Sequence, residues 1–510
     1  MFIKINSAAL AGIEALPIEV EVDFKRGLPG VSIVGLPDAA VKESRDRIRS
    51  AVENIGINFP VKKITVNLSP ADIKKEGSAY DLPIALGILA ASGEIEPARL
   101  QEYIIMGELS LSGRVKRIRG TLSVAIMMKA LRINKLIIPA KNSLEAAVID
   151  GIEVYPVRSL IDAVELIKGT SGIKRVKANT SKLFSREHKY DVDFSEVKGQ
   201  NFARRALEIA ASGGHNVLMI GPPGSGKTML SRRLPTILPA MTLEEAIETT
   251  QVHSIAGTIK EGNPFVTERP FRSPHHTTSY AGMVGGGQNP VPGDISLAHN
   301  GVLFLDELPE FNKYALEVLR QPLEDGFISL SRADKKVTYP SRFMLVAAMN
   351  PCPCGYLMDS KIQCRCTSSQ IQKYRSRLSG PLLDRIDIHI EVPALDYSEI
   401  SSLKEAETSA AIRNRVQNAR RIQEERFRGK KIFSNAMMKS RDIKKYCIMD
   451  EGSENLLKNA IDKLNFSARA YNRILKVART IADLENSGAI LPDHIAEALQ
   501  YRELDRNTSF

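Results

Sequence analysis

The sequence predicts an α/β protein of three parts: a mixed α/β domain, a parallel-sheet domain and a helical domain. In residues 1–168, short β-rich runs such as IEVEVDF, VSIVG and KITVNLS alternate with helical stretches such as AAVKESRDRIRSAVENIG. Residues 194–395 change to the order helix, buried strand, Gly-rich loop and helix, which is typical of a nucleotide-binding parallel sheet. Residues 396–510 show helical spacing with abundant charge, and the polar segment 169–193 is predicted to be a linker.

Length and composition agree with this organisation. A chain of 510 residues is too long for one hydrophobic core, and a prior of about 150 residues per domain indicates about three domains. With 43% hydrophobic and 25% charged residues, the composition disfavours a disordered or fibrous chain. The net charge of +11 favours a polyanionic partner such as nucleic acid, because basic surfaces attract phosphate backbones.

Three features of the sequence predict a cytoplasmic protein. The start, MFIKINSAALAGIEA, lacks the basic region, apolar run and small-residue cleavage site of a signal peptide. The longest apolar run, LPIALGILAA, falls well short of the roughly 20 residues that span a bilayer, so no membrane insertion is expected. Four of the five cysteines cluster while Cys447 stands alone, a pattern that fits a reducing compartment better than a secreted disulfide framework.

A phosphate-binding loop is predicted where GPPGSGKT follows the apolar strand NVLMI and precedes the helical run MLSRRL. Glycines let the backbone N–H groups of such a loop surround phosphates. Lys227 is expected to reach the β and γ phosphate oxygens, and the Thr228 hydroxyl is expected to ligate Mg²⁺. The residues assigned to the nucleotide are Gly221, Pro222, Pro223, Gly224, Ser225, Gly226, Lys227 and Thr228.

A second motif makes a chance Gly-rich turn a poor alternative. The run GVLFLDEL is a buried strand that ends in two acids, Asp306 and Glu307. Asp306 is expected to hold the Mg²⁺ shell, and Glu307 is expected to act as the general base that polarises the attacking water. Together, the two motifs predict an ATPase with ATP and Mg²⁺ as its cofactors.

Further polar residues at strand ends are candidates for sensing or stabilising the γ-phosphate. Asn350 ends the strand RFMLVAAMN, where a neutral amide could orient water, although a solvated strand end is the alternative. Arg385 precedes the apolar strand DIHIEV and is a candidate arginine finger that acts on a neighbouring subunit's ATP, with a surface salt bridge as the alternative. In the tail, Arg469 and Arg473 lie one helical turn apart and could approach the phosphates as a second sensor, Arg469 being preferred.

Two other features suggest binding sites. The stretch ISLSRADKKVTYPS is predicted to form a β-hairpin with Lys335 and Lys336 at or near its tip, where they could contact DNA phosphates or simply lie in a solvated turn. The cysteines could supply a tetrahedral zinc site, although two C-x-C pairs are tighter than common zinc knuckles and reduced buried thiols are the alternative. The adjacent residues His275 and His276 would point to different sides if their segment is extended, and the pair is expected to belong to the loop itself. The clustered cysteines are Cys352, Cys354, Cys364 and Cys366.

The second and third domains resemble the ComM/YifB family of magnesium-chelatase-like AAA+ ATPases. The resemblance is carried by RPFRSPHHTTSYAGMVGGG, DISLAHNGVLFLDELPEF, PLEDGFISLSRA and AAMNPCPCGY, and it extends over essentially the whole chain. It implies an AAA+ core with a C-terminal helical lid, assembled as a homo-hexameric DNA motor. It also implies a helicase that drives branch migration during natural transformation.

The N-terminal domain resembles the proteolytic domain of Lon, which has a ribosomal-S5-like α+β fold and uses a Ser/Lys dyad. KKEGSAYDLPIA places Ser78 at the position of the Lon nucleophile, but the position of the partner lysine holds Leu122. A serine without its base is a poor nucleophile, so the domain is predicted to be a scaffold without peptidase activity. Lys116 or Lys129 could replace the base only through an altered geometry.

Three functions therefore remain open at the level of sequence. A DNA translocase is favoured, an ATPase that remodels a protein partner as the chelatase relatives do is the main alternative, and a Lon-like protease is disfavoured. DNA stimulation of ATP hydrolysis that falls steeply with salt distinguishes the first from the second.

Overall fold

The computed structural model of the chain divides into two compact units. The first comprises Met1–Arg186, Ala246–Thr267 and Ser331–Tyr339, and the second comprises Glu187–Glu245, Glu268–Leu330 and Pro340–Phe510. The structure describes residues 2–179, 190–259, 263–287, 290–332, 335–357, 359, 361–395, 406–430, 432–464 and 467–502. Most of the second half of the predicted linker therefore lies outside the described residues.

The first unit is built on a seven-stranded mixed sheet with the strand order β3-β4-β2-β1-β5-β8-β9. The strands β1 and β2 pair antiparallel, as do β2 and β4, whereas β3 and β4, β1 and β5, β5 and β8, and β8 and β9 pair in parallel. A short antiparallel ribbon is formed by β6 and β7. The strands are β1 (Phe2–Ala11), β2 (Glu14–Lys25), β3 (Gly30–Val34), β4 (Lys63–Ser69), β5 (Tyr103–Ile105), β6 (Glu108–Leu109), β7 (Val115–Lys116), β8 (Lys135–Pro139) and β9 (Glu153–Val157).

Helices pack on this sheet, and one of them is buried along its whole length. The helix DLPIALGILAA, α2, is the apolar run noted in the sequence; it lies among the core residues of the unit. Its one charged residue, Asp81, accepts two bonds from the Arg47 guanidinium at 2.9 and 3.1 Å, although burial still raises the pKa of Asp81 to about 6. The helices are α1 (Ala39–Asn54), α2 (Asp81–Ala91), α3 (Pro97–Leu100), α4 (Thr121–Leu131), α5 (Ser143–Ala146) and α6 (Leu160–Lys168).

Two segments from the middle of the sequence belong to the first unit. Gln251 donates to the Ile13 carbonyl at 2.7 Å, and the Ser254 hydroxyl accepts from the Gly120 backbone N–H at 2.9 Å. In the other segment, Val337 packs so closely on Gly12 that a Cβ at Gly12 would lie 2.7 Å from its Cγ1. The sequence predicted a continuous N-terminal domain, whereas this compact unit is discontinuous because residues far along the chain complete its packing.

The second unit contains a five-stranded, fully parallel sheet with the order β11-β14-β17-β10-β18. A short hairpin of β12 with β13 lies outside this sheet, and so does the pair of β15 with β16, in which residues 331–339 belong to the first unit. The parallel arrangement agrees with the predicted nucleotide-binding domain, because buried apolar strands alternate with helices along the chain. The strands are β10 (Val217–Ile220), β11 (Phe271–Arg272), β12 (Gly285–Gly286), β13 (Val291–Pro292), β14 (Val302–Leu305), β15 (Phe327–Arg332), β16 (Lys335–Pro340), β17 (Met344–Met349) and β18 (Ile388–Glu391).

The helical tail shares one hydrophobic core with this sheet. Ile209 of α7, Val416 of α16 and Ile474 of α19 belong to the same buried cluster as Val217 and Val346. The sheet and the tail therefore form one compact unit in the structure. The helices are α7 (Asn201–Gly213), α8 (Lys227–Arg233), α9 (Leu243–Ala256, which crosses the boundary between the units), α10 (Tyr280–Val284), α11 (Asp294–Leu297), α12 (Lys313–Val318), α13 (Arg320–Asp325), α14 (Ser368–Arg375), α15 (Gly380–Leu383), α16 (Ser409–Arg426), α17 (Ser440–Tyr446), α18 (Glu451–Leu464), α19 (Ala468–Leu484) and α20 (Pro492–Gln500).

None of the helices in the described part of the chain is both long enough and apolar enough to cross a membrane.

A buried carboxylate holds the tail helices together. Asp483 of α19 accepts from Arg479 at 3.0 Å, from Arg426 of α16 at 2.7 Å and from the Asn435 side chain at 2.7 Å. The Asp483 side chain is 0% exposed and that of Arg479 is 2% exposed. Two guanidinium groups thus depend on one carboxylate for charge compensation away from water.

We expect Asp483→Asn to destabilise the protein by about 3–5 kcal/mol, because the substitution keeps the shape but leaves two largely buried arginines without a counter-charge. The measurement is urea unfolding followed by circular dichroism. The control is Asp493→Asn on the exposed face of α20, which should shift stability by no more than about 0.5 kcal/mol. Equal transition midpoints for the two variants would contradict the role given to Asp483.

Candidate nucleotide-binding site

The predicted site residues meet at the carboxyl edge of the parallel sheet. The loop GPPGSGKT follows β10, Asp306 and Glu307 follow β14, and Asn350 follows β17. Because these strands are parallel neighbours in the order β14-β17-β10, the three strand ends lie side by side. Ligands of open parallel sheets bind at this edge.

The conformation of the loop requires glycine at defined positions. Gly224 and Gly226 adopt left-handed backbone conformations with φ of 77° and 89°, which side chains disfavour. At Gly221 a Cβ would lie 2.1 Å from the carbonyl oxygen of Val392, so a side chain is excluded by contact with the neighbouring backbone. The loop therefore has the tight, side-chain-free geometry that lets backbone N–H groups approach phosphates.

Lys227 lies at the centre of the loop. Its ammonium group donates to the carbonyl oxygens of Gly221 and Pro222 at 2.7 and 2.9 Å, and it lies 3.4 Å from Asn350 Oδ1. Burial lowers the pKa of Lys227, while the negative charge of Asp306 opposes that shift. The structure thus brings the lysine and the sensor candidate Asn350 together.

The residues expected to hold Mg²⁺ are also in contact. The Thr228 hydroxyl donates to Asp306 Oδ2 at 2.6 Å, and the other carboxylate oxygen of Asp306 accepts from the Glu307 backbone N–H at 3.0 Å. A hydroxyl and a carboxylate are oxygen ligands of the kind that Mg²⁺ prefers beside nucleotide phosphates. The donor set therefore fits the ion.

Glu307 carries a strained backbone and an exposed carboxylate. Its φ is 52°, and its side chain is 56% exposed. The imidazole of His276 lies 3.3 Å from Glu307 Oε2, a contact that no local sequence pattern predicts because the two residues are 31 positions apart. A ring nitrogen at this distance can hold the carboxylate in one orientation.

The histidine pair lies in a loop, as expected, and the segment is not extended, so the condition for opposite sides is not met. The rings of His275 and His276 lie with their centroids 4.1 Å apart instead of on opposite sides. The reason is that β11 ends at Arg272 and the chain turns at His276, so the alternation of an extended strand does not apply.

The three candidate arginines lie at the opposite edge of the sheet. Asn216, directly before β10, donates to the Arg385 carbonyl at 2.9 Å, and its backbone N–H donates to Asp387 at 3.1 Å. Arg473 forms an ion pair with Asp387. Since β10 is four residues long, this edge is about 13 Å from the phosphate-binding loop along the strand.

Arg385 and Arg469 line one pocket at that edge, together with Arg473, Asp384 and Glu324. Arg385 pairs with Glu324 at 2.6 Å, and Arg469, whose side chain is 64% exposed, lies 3.6 Å from Asp384. The structure therefore brings the finger candidate and the second-sensor candidates together and separates them from the loop of their own chain.

The predicted hairpin is present as β15 and β16. Lys336 is exposed, whereas Val337 and Tyr339 on the same strand are buried, so the strand has one packed face and one solvated face. The residues between the strands, 333–334, and the side chain of Lys335 lie outside the described residues. The role of both lysines in DNA binding stays a prediction.

The four clustered cysteines converge from two chain segments. Cys352 Sγ lies 3.4 Å from Cys354 Sγ and 3.7 Å from Cys364 Sγ. All four sulfurs, including that of Cys366, lie within 4.8 Å of one another. This arrangement is compatible with a structural zinc site.

The region around Ser78 does not form a Ser/Lys dyad. Ser78 donates to the Glu108 carboxylate, which also accepts from Lys116 at 3.3 Å. Leu122 is fully buried in an apolar cluster, and Lys129 is exposed two helical turns further along α4. The Ser78 hydroxyl thus contacts the Glu108 carboxylate, which also pairs with Lys116. The position of the Lon lysine holds Leu122, a residue of the apolar core.

Comparison with known protein families agrees with this geometry. Residues 193–400 match the family described as magnesium chelatase, subunit ChlI. Residues 20–142 match subunit ChlI of Mg-chelatase, and residues 406–502 match the C-terminal part of the same subunit. These matches fall in both compact units.

Individual relatives extend over nearly the full length. The chain is 44% identical over 504 residues to the uncharacterized protein YifB of Escherichia coli, and the aligned residues make up 98% of this chain and 97% of that protein. It is 44% identical over 510 residues to competence protein ComM of Haemophilus influenzae, with the same shares of 98% and 97%. A shorter match, 31% identical over 159 residues, is to Lon protease 2 of Bacillus subtilis and covers 28% of this chain and 26% of that protein.

We expect Glu307→Gln to lower ATP hydrolysis by at least about 100-fold while nucleotide binding is retained, because an amide keeps the shape but cannot accept a proton. Hydrolysis is measured by phosphate release, and binding by the fluorescence anisotropy of a labelled nucleotide.

The matched control is Glu310→Gln, which changes an exposed glutamate three residues further on that pairs with Arg377. It should leave hydrolysis within about twofold, as expected for a surface ion pair. Unchanged hydrolysis in Glu307→Gln would exclude the carboxylate as the general base.

Proposed function

The chain belongs to the ComM/YifB family of magnesium-chelatase-like AAA+ ATPases, and we propose from this that it is a hexameric motor that uses ATP hydrolysis to move along DNA. The step it would serve is branch migration of recombination intermediates during natural transformation, in the cytoplasm. The substrate would be single-stranded or branched DNA. The name of the Haemophilus relative, competence protein, supports the link to transformation.

The proposal of an oligomeric motor rests on the separation of the candidate arginines from the phosphate-binding loop of the same chain. Lys227, Asp306, Glu307 and Asn350 lie at one edge of the sheet, whereas Arg385 belongs to the other edge. An arginine that contributes to phosphoryl transfer must touch the transferred group, so Arg385 would serve the site of an adjoining subunit. Arg469, with its exposed side chain in the same pocket, would act from the same side.

Within one site, each residue has a separate task. Lys227 would leave its loop carbonyls to bind the β and γ phosphates, and Thr228 and Asp306 would hold Mg²⁺, which neutralises phosphate charge when bound. Glu307, oriented by His276, would accept a proton from the attacking water, and Asn350 would position that water. The contacts of Thr228 with Asp306 and of His276 with Glu307 hold these side chains close to one another before the nucleotide arrives.

DNA as the substrate of the motor is supported by the net positive charge of the chain and by the hairpin of β15 and β16. The chain carries 70 lysines and arginines against 59 acidic residues, and Lys336 is exposed on a strand whose other face is packed. Lysines held by such an element can contact phosphates without reading bases, as a translocase requires. A protein client is the second candidate, favoured by the magnesium chelatase families that the chain matches.

We expect a mixture of two inactive variants, Glu307→Gln and Arg385→Ala, to regain part of the ATPase rate. In a mixed ring, an intact site on an Arg385→Ala subunit can receive the intact arginine of a Glu307→Gln neighbour. Phosphate release is measured over a range of mixing ratios, and the rate should pass through a maximum at an intermediate ratio.

Each variant alone is the first control, and a mixture of Glu307→Gln with Glu307→Gln/Arg385→Ala is the second, since it contains no intact site. If Arg385 acted within its own chain, the first mixture would stay as inactive as its components. That result would refute the shared site.

We expect branched and single-stranded DNA to raise the ATPase rate severalfold at low salt, with the effect falling steeply as salt rises because counterions compete for the phosphates. The double variant Lys335→Ala/Lys336→Ala should lose this stimulation and keep the basal rate. The control, Lys444→Ala/Lys445→Ala, removes an equal charge from an exposed lysine pair on α17 and should keep it.

If DNA leaves the wild-type rate unchanged while Glu307→Gln abolishes hydrolysis, the ATPase assignment stands and the DNA proposal fails. Stimulation by a protein client alone would then favour the second candidate.

A further inference from the structure

We propose that Cys352, Cys354, Cys364 and Cys366 bind one zinc ion, and that this ion holds the cysteine loop against the phosphate-binding loop so that nucleotide affinity depends on zinc. Zinc binding is inferred from the geometry of the cysteines alone. The dependence of nucleotide affinity on zinc rests on the proposed nucleotide site.

The spacing of the sulfurs fits a single tetrahedral ion. Zinc–sulfur bonds of about 2.3 Å in a tetrahedron place neighbouring sulfurs about 3.8 Å apart. The distances from Cys352 to Cys354, from Cys352 to Cys364 and from Cys354 to Cys364 are 3.4, 3.7 and 3.6 Å. An iron–sulfur cluster, whose ligands attach to different irons, needs its cysteine sulfurs further apart.

The backbone supports charge on these sulfurs. The N–H of Cys354 donates to Cys366 Sγ at 3.4 Å, and the N–H of Cys366 donates to Cys364 Sγ at 3.4 Å. Hydrogen bonds of this kind stabilise metal-bound thiolates and orient them. In the described part of the chain, no histidine or carboxylate joins the group, and a set of four thiolates is typical of closed structural zinc sites.

The cluster is joined to the nucleotide site at two points. Asn350, which lies 3.4 Å from Lys227, is two residues before Cys352. Gly355, next to Cys354, has a φ of 88°, and a Cβ there would lie 2.6 Å from Pro223 Cδ in the phosphate-binding loop. The cysteine loop therefore backs the phosphate-binding loop in direct contact.

Zinc would act as a clip between the segment that carries Cys352 and Cys354 and the segment that carries Cys364 and Cys366, and it would add four metal bonds to the weak hydrogen bond from Cys354 N–H to Cys366 Sγ. Binding exchanges thiol protons for the ion, with no change of oxidation state. Without the ion, the four sulfurs lose their common ligand and the loop at Gly355 is no longer fixed. The contact between Gly355 and Pro223 is then weaker, and the phosphate-binding loop binds the nucleotide phosphates less tightly.

The first experiment measures metal content by inductively coupled plasma mass spectrometry on the full-length protein, purified without added metal. We expect one zinc per chain, and less than a fifth of that in Cys354→Ser and in Cys366→Ser. The control is Cys447→Ser, a buried cysteine that bonds to the Leu475 carbonyl and should keep one zinc. Iron in place of zinc, or an empty site with four free thiols, would overturn the proposal.

A second measurement does not depend on the variants folding. Replacement of zinc by Co²⁺ in the wild-type protein should give the intense visible and near-ultraviolet absorption of tetrahedral cobalt thiolate. A spectrum typical of octahedral cobalt, with no thiolate charge-transfer band, would contradict the four-cysteine site.

The coupling is tested by the binding of a fluorescent ADP analogue after zinc is removed with 1,10-phenanthroline, the chelator is dialysed away and Mg²⁺ is restored. We expect affinity to fall at least tenfold and to recover when zinc is added back. Unchanged affinity in zinc-free protein would overturn the coupling. Because neither readout involves DNA, failure of the DNA proposal would be seen separately.

The contact itself is tested by Gly355→Ala, which should keep one zinc per chain and weaken ADP binding because its methyl group meets Pro223. The matched control is Gly429→Ala. Gly429 has a similar φ of 80° but no atom within 4 Å of an added Cβ, so it carries the same backbone strain without the contact. Equal ADP affinities of the two variants would show that the contact does not transmit the effect.

Discussion

The parallel register of the five-stranded sheet is the constraint on which the nucleotide site depends. β14 pairs with β17 and β17 pairs with β10 in parallel, so the loops that follow these strands share one edge. The hydrogen bond between Thr228 and Asp306 exists only in this alignment. A slip of one residue would displace one strand end by about 3.3 Å and reverse the direction of its side chains, which would separate the two oxygen donors.

The same register creates the opposite edge, where the helical tail joins the sheet. Burial opposes the charge of Asp387, but Arg473 and His215 outweigh that effect and hold the pKa of Asp387 below its usual range. A lowered pKa means that the ion pair stabilises the fold above the unfolded carboxylate's pKa of about 3.9, and that this stabilisation is lost as the pH falls towards the folded value. The contact ties α19 to the start of β18, so the sheet and the tail position Arg385 and Arg469 together.

The first unit combines a Lon-like fold with a core that leaves no place for the Lon base. Leu122 is buried, and its backbone N–H donates to the buried carboxylate of Glu145 at 3.2 Å. Glu145 also accepts from the Ser254 hydroxyl of α9, and the Asn142 side-chain amide donates to Glu145 Oε2 at 3.4 Å. A lysine at position 122 would have to enter an apolar cluster whose neighbouring polar groups are already paired, which would require the core to rearrange.

The sequence by itself determined the elements whose signals are local. The glycines of GPPGSGKT, the acids after the apolar strand GVLFL and the helical spacing of the tail all predicted structures that the chain forms. They did so because conformational freedom, burial and periodicity act over a few neighbouring residues. The absence of the Lon lysine could also be predicted from the sequence, because the Lon motif can be compared with this chain position by position.

Only the tertiary structure decided which distant residues meet. His276 reaches Glu307 across 31 positions, a contact that no period or spacing along the chain predicts. The convergence of the cysteines and the place of Arg385 were alternatives at the level of sequence, and the fold decided between them. The sequence did not predict the discontinuity of the first unit, because that also depends on contacts between distant residues. Strand order and long-range packing set these contacts, and they are fixed by the free energy of the whole core and not by any local segment.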